Sequence, residues 1–167
     1  MSRRLEDLDD SVRAKVVETL RRCADAGVDI LTTSTERTAQ EQARLYRQGR
    51  PLSQIQRKAN ELSDRWGRPD LATILLDVGP QYGRRVTNAG PGQSMHNYRL
   101  AHDGVPMRDG KPVWSIARPE DRRLWDTYGA CAEAAGLEWA GRWVRFREFP
   151  HVQEPGARWQ ELIRQHG

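Results

Sequence analysis

Two runs that read as strands, residues 100–107 and 111–115, are joined by Asp109-Gly110, the kind of dipeptide that closes a two-residue hairpin. Helical patterns precede and follow this hairpin, so the chain must set a small sheet among helices. Before it, Val12, Val16, Val17, Leu20 and Ala24 share one face over residues 10–26, and Gly27 is placed to stop that helix. Residues 28–33 are rich in β-branched side chains and read as a short strand. Thr38-Ala39-Gln40-Glu41 is a capping box opening a helix that runs to Gly49. Ser53-Gln54-Ile55-Gln56 reads as a second box, and its helix carries Ile55, Ala59, Leu62 and Trp66. A short helix over 70–78 is ended by Gly79-Pro80, and residues 82–93 read as loop. After the hairpin, 119–135 is helical, with Leu124, Tyr128 and Ala132 inward and Gly136 as cap. Residues 137–139, 144–146 and 149–153 read as short strands, and 158–165 as a closing helix. The expected fold is α+β, a single domain over 1–167 with a small antiparallel sheet flanked by helices.

Length and charge narrow the functional classes. The 167 residues suit one ordinary domain, and no apolar run approaches the roughly 20 residues of a membrane span. The N-terminal Met1-Ser2-Arg3-Arg4-Leu5-Glu6-Asp7 has no apolar core, which argues against a signal peptide and for synthesis into the cytoplasm. Basic residues outnumber acidic ones 27 to 23, for a net charge of +4. Acids interrupt the basic residues throughout, as in Arg118-Pro119-Glu120-Asp121-Arg122-Arg123, so no nucleic-acid tail is present and nucleic acid is not an expected partner. A mildly cationic surface suits an anionic polymer, a cell-wall polymer among them. Cys23 and Cys131 lie far apart, outside any C-x-x-C pair, and read as small core residues.

Chemistry has few places to reside. The histidines are His96, His102, His151 and His166. A zinc site needs three protein ligands from His, Cys or carboxylate, and a catalytic one keeps a further position open. His96, Asp103 and His151 can supply that set, with Glu148 beside it as a base. The helical H-E-x-x-H arrangement is absent. His166, next to the C-terminus, reads as solvated.

Ser94-x-His96-x-x-x-x-Ala101-x-Asp103 resembles the S-x-H-x-x-G-x-A-x-D signature of the zinc D,D-carboxypeptidase and L-alanyl-D-glutamate endopeptidase family, peptidase M15. Glu148-x-x-His151 resembles that family's second motif, an acid three residues before the last zinc ligand. Residues 35–46 are similar to the segment that carries the family's substrate-binding arginine. Residues 86–94 and 136–143 are like flanks found in its endolysin branch. The similarity runs in the family's order from Ile30 to Gln153.

The resemblance implies a Hedgehog/DD-peptidase-like version of the α+β fold. It implies Zn2+ held by His96, Asp103 and His151, with Glu148 as the base that takes a proton from the attacking water. It also implies Arg37 as substrate anchor or oxyanion donor, and gives Ser94 a role at the substrate or in shaping its loop. The implied activity is hydrolysis of peptidoglycan stem peptides by a monomeric L-alanyl-D-glutamate endopeptidase of endolysin type, reaching the wall after release. A D,D-carboxypeptidase or dipeptidase is the neighbouring reading, and a non-catalytic zinc-binding or nucleic-acid-binding domain is the distant one.

Strand alternation adds that His102 faces away if Asp103 faces the metal. Glu148 and His151, three apart, share a side only if the chain bends at Phe149-Pro150. Arg99 stands where the family usually has glycine, which implies either a backbone kept from positive φ or a guanidinium near the cleft. His102 before the aspartate and Arg142 are further departures. Tyr98, Trp139 and Trp143 read as packing residues.

Overall fold

The computed structural model describes residues 1–165; His166 lies outside the described residues. In chain order the regular elements are α1 (Asp10–Asp25), β1 (Ile30–Ser34), α2 (Ala39–Arg47), α3 (Leu52–Asn60) and α4 (Pro69–Asp77). They continue as β2 (Ala101–Arg108), β3 (Lys111–Pro112), α5 (Pro119–Ala134), β4 (Glu138–Trp139), β5 (His151–Gln153) and α6 (Trp159–Gln165). The fold is α+β, and its chain falls into two compact units.

One unit comprises Ser2–Glu36 and Arg99–Ala157 and holds the sheet. The strands pair antiparallel in the order β1-β2-β5-β4, and β3 pairs with the far end of β2. Asp109 and Gly110 both take positive φ, +51° and +72°, which a two-residue turn between right-twisted strands requires. Asp9 caps α1 by accepting from the Ser11 N–H at 3.0 Å. Val12, Val16 and Cys23 on α1 meet Trp125, Tyr128 and Ala132 on α5, with Val105 and Val152 from the sheet. Gly129 and Gly141 let the Trp139 ring in: a Cβ at either would stand 2.1 to 2.2 Å from ring atoms.

The other unit comprises Met1, Arg37–Tyr98 and the chain from Arg158. Its core joins Tyr46, Ile55, Leu62, Leu71, Leu75 and Ile163. The capping box at α2 is complete, with Thr38 accepting from the Glu41 N–H and Glu41 from the Thr38 N–H. The second expected box is absent. α3 begins at Leu52 behind Pro51, whose fixed φ starts the helix two residues earlier and leaves Ser53 inside it.

Two further expectations fail. Residues 144–146 form no strand: no neighbouring strand offers them a ladder, and Phe146 takes φ +54°. Arg99 adopts the left-handed conformation, at φ +63°, against the expectation that its side chain keeps the backbone from positive φ. Its guanidinium is spent on the Asp7 and Leu8 carbonyls, at 2.6 and 2.9 Å, which hold it in place.

Candidate metal centre

Register places the site. β2 and β5 align Ala101 with Gln153, His102 with Val152 and Asp103 with His151. Residues directly opposite share a face and neighbours alternate, so Asp103, His151 and Gln153 lie on one side and His102 on the other. His102 is fully buried between Thr32 Oγ1 (3.0 Å) and Tyr128 Oη (3.2 Å). Tyr128 donates its hydroxyl proton to the Pro150 carbonyl at 3.1 Å, so it accepts from His102 Nδ1–H, and Thr32 donates to His102 Nε2.

That chain of bonds also holds the bend. The Pro150 carbonyl takes a second donor, the Gly104 N–H at 3.0 Å. The Trp139 indole N–H donates to the Phe149 carbonyl at 2.8 Å. The turn that sequence alternation demanded between Glu148 and His151 is thus fixed by two carbonyls, each anchored from another element.

His151 is buried, and its two ring nitrogens face different partners. Nδ1 lies 3.1 Å from Asp103 Oδ1, and Nε2 lies 3.0 Å from Gln153 Oε1. The Gln153 and Asp103 oxygens both accept, so Nε2–H donates to Gln153, and a proton on Nδ1, donated to Asp103, makes His151 the cation of an ion pair. A metal-binding histidine has one nitrogen held by an acceptor, the place Gln153 takes on Nε2, and a metal ion would replace the proton on Nδ1. Burial pulls the His151 pKa down, but the hydrogen bond and charge of Asp103, with Gln153 and the Glu148 charge, raise it above the ordinary value of 6.5.

His96 sits in a single 3-10 turn, Met95–Tyr98, and is buried. Its carbonyl accepts from the Arg37 N–H at 3.1 Å, while Asn97 Nδ2 donates to the Arg37 carbonyl at 2.7 Å. Arg37, half-buried, donates through Nη1 to Gln42 Oε1 at 2.9 Å, and Gln42 in turn donates to the Ala89 carbonyl at 2.7 Å. The substrate-binding candidate and the first ligand candidate are therefore tied by backbone. Ser94 opens the turn, its carbonyl accepting from the Asn97 N–H at 3.0 Å.

Asp103 and His151 supply two of the expected donors side by side in the unit that holds the sheet, and His96 supplies the third expected donor from the other unit. Two imidazoles and a carboxylate are the donor set of catalytic zinc, and the Gln153 acceptor on His151 Nε2 leaves Nδ1 as the nitrogen the ion would take. Glu148 lies outside this group, exposed, with its N–H donating to the Ala140 carbonyl at 3.3 Å; its charge reaches His151. Sequence reasoning missed Gln153, though a polar residue two beyond a ligand on a strand shares that ligand's face. Tyr128 and Gln42 had no such local signal. Trp139 is buried packing, whereas Trp143 is half-buried with its ring 5.8 Å from His151.

Residues 87–154 match a peptidase M15 family model described as D-alanyl-D-alanine carboxypeptidase. The chain is 28% identical over 134 residues to the peptidoglycan L-alanyl-D-glutamate endopeptidase CwlK of Bacillus subtilis (strain 168). That match covers 78% of this chain and 63% of the relative, so the chain spans less than two-thirds of that protein's length. The crystal structure of the L-Ala D-Glu endopeptidase ChiX of Serratia marcescens aligns with a TM-score of 0.47 at 15% identity, covering 90% of this chain and 82% of that one.

Proposed function

We propose that the chain is an M15 peptidase and that it hydrolyses peptidoglycan stem peptides as an L-alanyl-D-glutamate endopeptidase, with Zn2+ held by His96, Asp103 and His151; the family-model match over residues 87–154 and the likeness to CwlK support this reading. The family is zinc-dependent in general. The observation that carries the reading is the Asp103–His151 pair, with Gln153 holding the opposite nitrogen of the imidazole. When bound there, zinc supplies Lewis acidity, which two neutral imidazoles and a single carboxylate leave incompletely neutralised.

The chain's own residues do the rest. The Glu148 carboxylate accepts the proton of the attacking water and returns it to the departing amine nitrogen. Arg37, oriented by Gln42, directs its guanidinium to a substrate carboxylate or to the oxygen that gains charge. The Pro150 and Phe149 carbonyl anchors hold Glu148 and His151 in fixed relation. The enzyme acts on the wall after release from the cytoplasm.

D,D-carboxypeptidase activity is the second reading, favoured by the description of the matching family model. Mass analysis of purified peptidoglycan after digestion, with and without chelator, separates the two. New L-alanine C-termini paired with D-glutamate N-termini, lost with chelator, are expected. Release of terminal D-alanine alone would select the carboxypeptidase, and no chelator-sensitive product would overturn both.

A further inference from the structure

Arg142-Trp143-Val144-Arg145-Phe146-Arg147 interleaves three cations with three apolar side chains in a loop that no strand pairs. Val144 is 93% exposed and Phe146 71%, although burying either side chain is favourable by roughly 10-fold or more in partition. The loop is fixed at its base. The Trp143 and Glu148 N–H groups both donate to the Ala140 carbonyl, the Trp143 indole donates to Glu138 at 2.6 Å, and Arg147 donates to the Trp143 carbonyl at 3.1 Å.

A second apolar segment flanks the same point. The Trp125 indole N–H donates to the Ser115 carbonyl at 3.3 Å, between exposed Trp114 and Ile116, while its ring lies 6.0 Å from Phe149. Both exposed segments thus spring from the contact of buried Trp125 with half-buried Phe149. Arg142 is engaged by Glu133, but among the described residues no carboxylate pairs with Arg145 or Arg147.

We propose that this rim docks on an anionic lipid bilayer, with Val144 and Phe146 entering the headgroup–acyl boundary and Arg145 and Arg147 on the lipid phosphates. Apolar tips beside guanidiniums that no described carboxylate neutralises match that boundary, where apolar surface is buried at the depth of negative charge. Trp114 has the amphipathic ring that favours the same level. A glycan strand is the poorer match, since Val144 and Phe146 offer a sugar no polar group. The contact uses none of the proposed zinc or base residues, so it holds or fails apart from the peptidase reading.

Cosedimentation of the full chain with vesicles of phosphatidylcholine and phosphatidylglycerol at low salt tests it. Wild type should bind these and not phosphatidylcholine alone. Val144→Ser with Phe146→Ser should weaken binding by about 10-fold per residue, and Arg145→Gln with Arg147→Gln by about 5-fold per charge. The serine variant should melt as wild type does, because Val144 and Phe146 are exposed and make no hydrogen bond at the loop base; Arg145→Gln alone, which leaves the Arg147 bond to the Trp143 carbonyl in place, should melt as wild type and still weaken binding. Failure of wild type to bind, or equal binding by the serine variant, overturns the proposal. So does binding to wall sacculi that these substitutions abolish while vesicles stay unbound, which would mark a wall polymer as the partner.

Discussion

The β2–β5 ladder and the loop over 142–149 meet at His151, yet they obey different rules. In the ladder each side chain has a face assigned by alternation and a partner across the strand: Asp103 opposite His151, His102 opposite Val152. Both faces are consumed, one by donor atoms and the other by the Thr32–His102–Tyr128 chain. Val144 to Phe146 has the composition of a strand, but nothing pairs with it and its apolar side chains stay in water. Composition fixes a strand only where a neighbour supplies the hydrogen bonds. Where none does, the same residues form a displayed loop whose base alone is ordered by contacts.

If the ladder face is the metal side, Asp103→Ala or His151→Ala should take activity to background and bound zinc with it, read by wall lysis beside elemental analysis. Loss of activity with zinc retained would move the centre elsewhere. Arg37→Ala should keep zinc and lose roughly 100-fold in turnover, with Arg37→Lys recovering only part because it lacks the planar fork. Unchanged turnover would return Arg37 to a structural role with Gln42.

A finer probe of the same face is Gln153→Leu, which removes the acceptor on Nε2 and should weaken zinc affinity by about 10- to 100-fold. Chelator competition reads it, and wild-type affinity would dismiss the proton placement. On the opposite face, Gly129→Ala pushes a methyl group into the Trp139 ring and should cost about 1–3 kcal/mol of stability without touching the donor set. Denaturant melts measure that, and a neutral result would mean the ring can shift.

The smallest effect is electrostatic. His151 has its pKa raised in the fold, so in metal-free protein its charged pair with Asp103 stabilises fully below the ordinary value of 6.5 and fades as pH rises through the raised one. The melting difference between wild type and His151→Gln, both metal-free, should therefore shrink with rising pH. A difference independent of pH would place the pair's contribution in packing.

What was legible in the sequence is what short-range chemistry decides. Thr38 and Glu41 satisfy each other's backbone within one turn, and Asp109-Gly110 needs only its own positive φ values. The opposition of His102 and Asp103 follows from strand period alone. The rest depends on distant partners. Pro51 displaced Ser53 as the start of α3, and Arg99 tolerates its backbone because the Asp7 and Leu8 carbonyls receive its guanidinium. Gln153 could be found by counting two along β5, but Tyr128 on α5, which joins His102 to the Pro150 carbonyl, could not.

The division of labour between ladder and loop is tested most directly by the zinc content of purified Glu148→Gln, taken beside its wall-lysing activity. Glutamine keeps the shape of Glu148 but cannot accept a proton at neutral pH. Activity should fall by roughly 100- to 10,000-fold while zinc stays at the wild-type level. A folded variant without zinc would make Glu148 a ligand, and a zinc-loaded variant with full lytic activity would assign the base to another group.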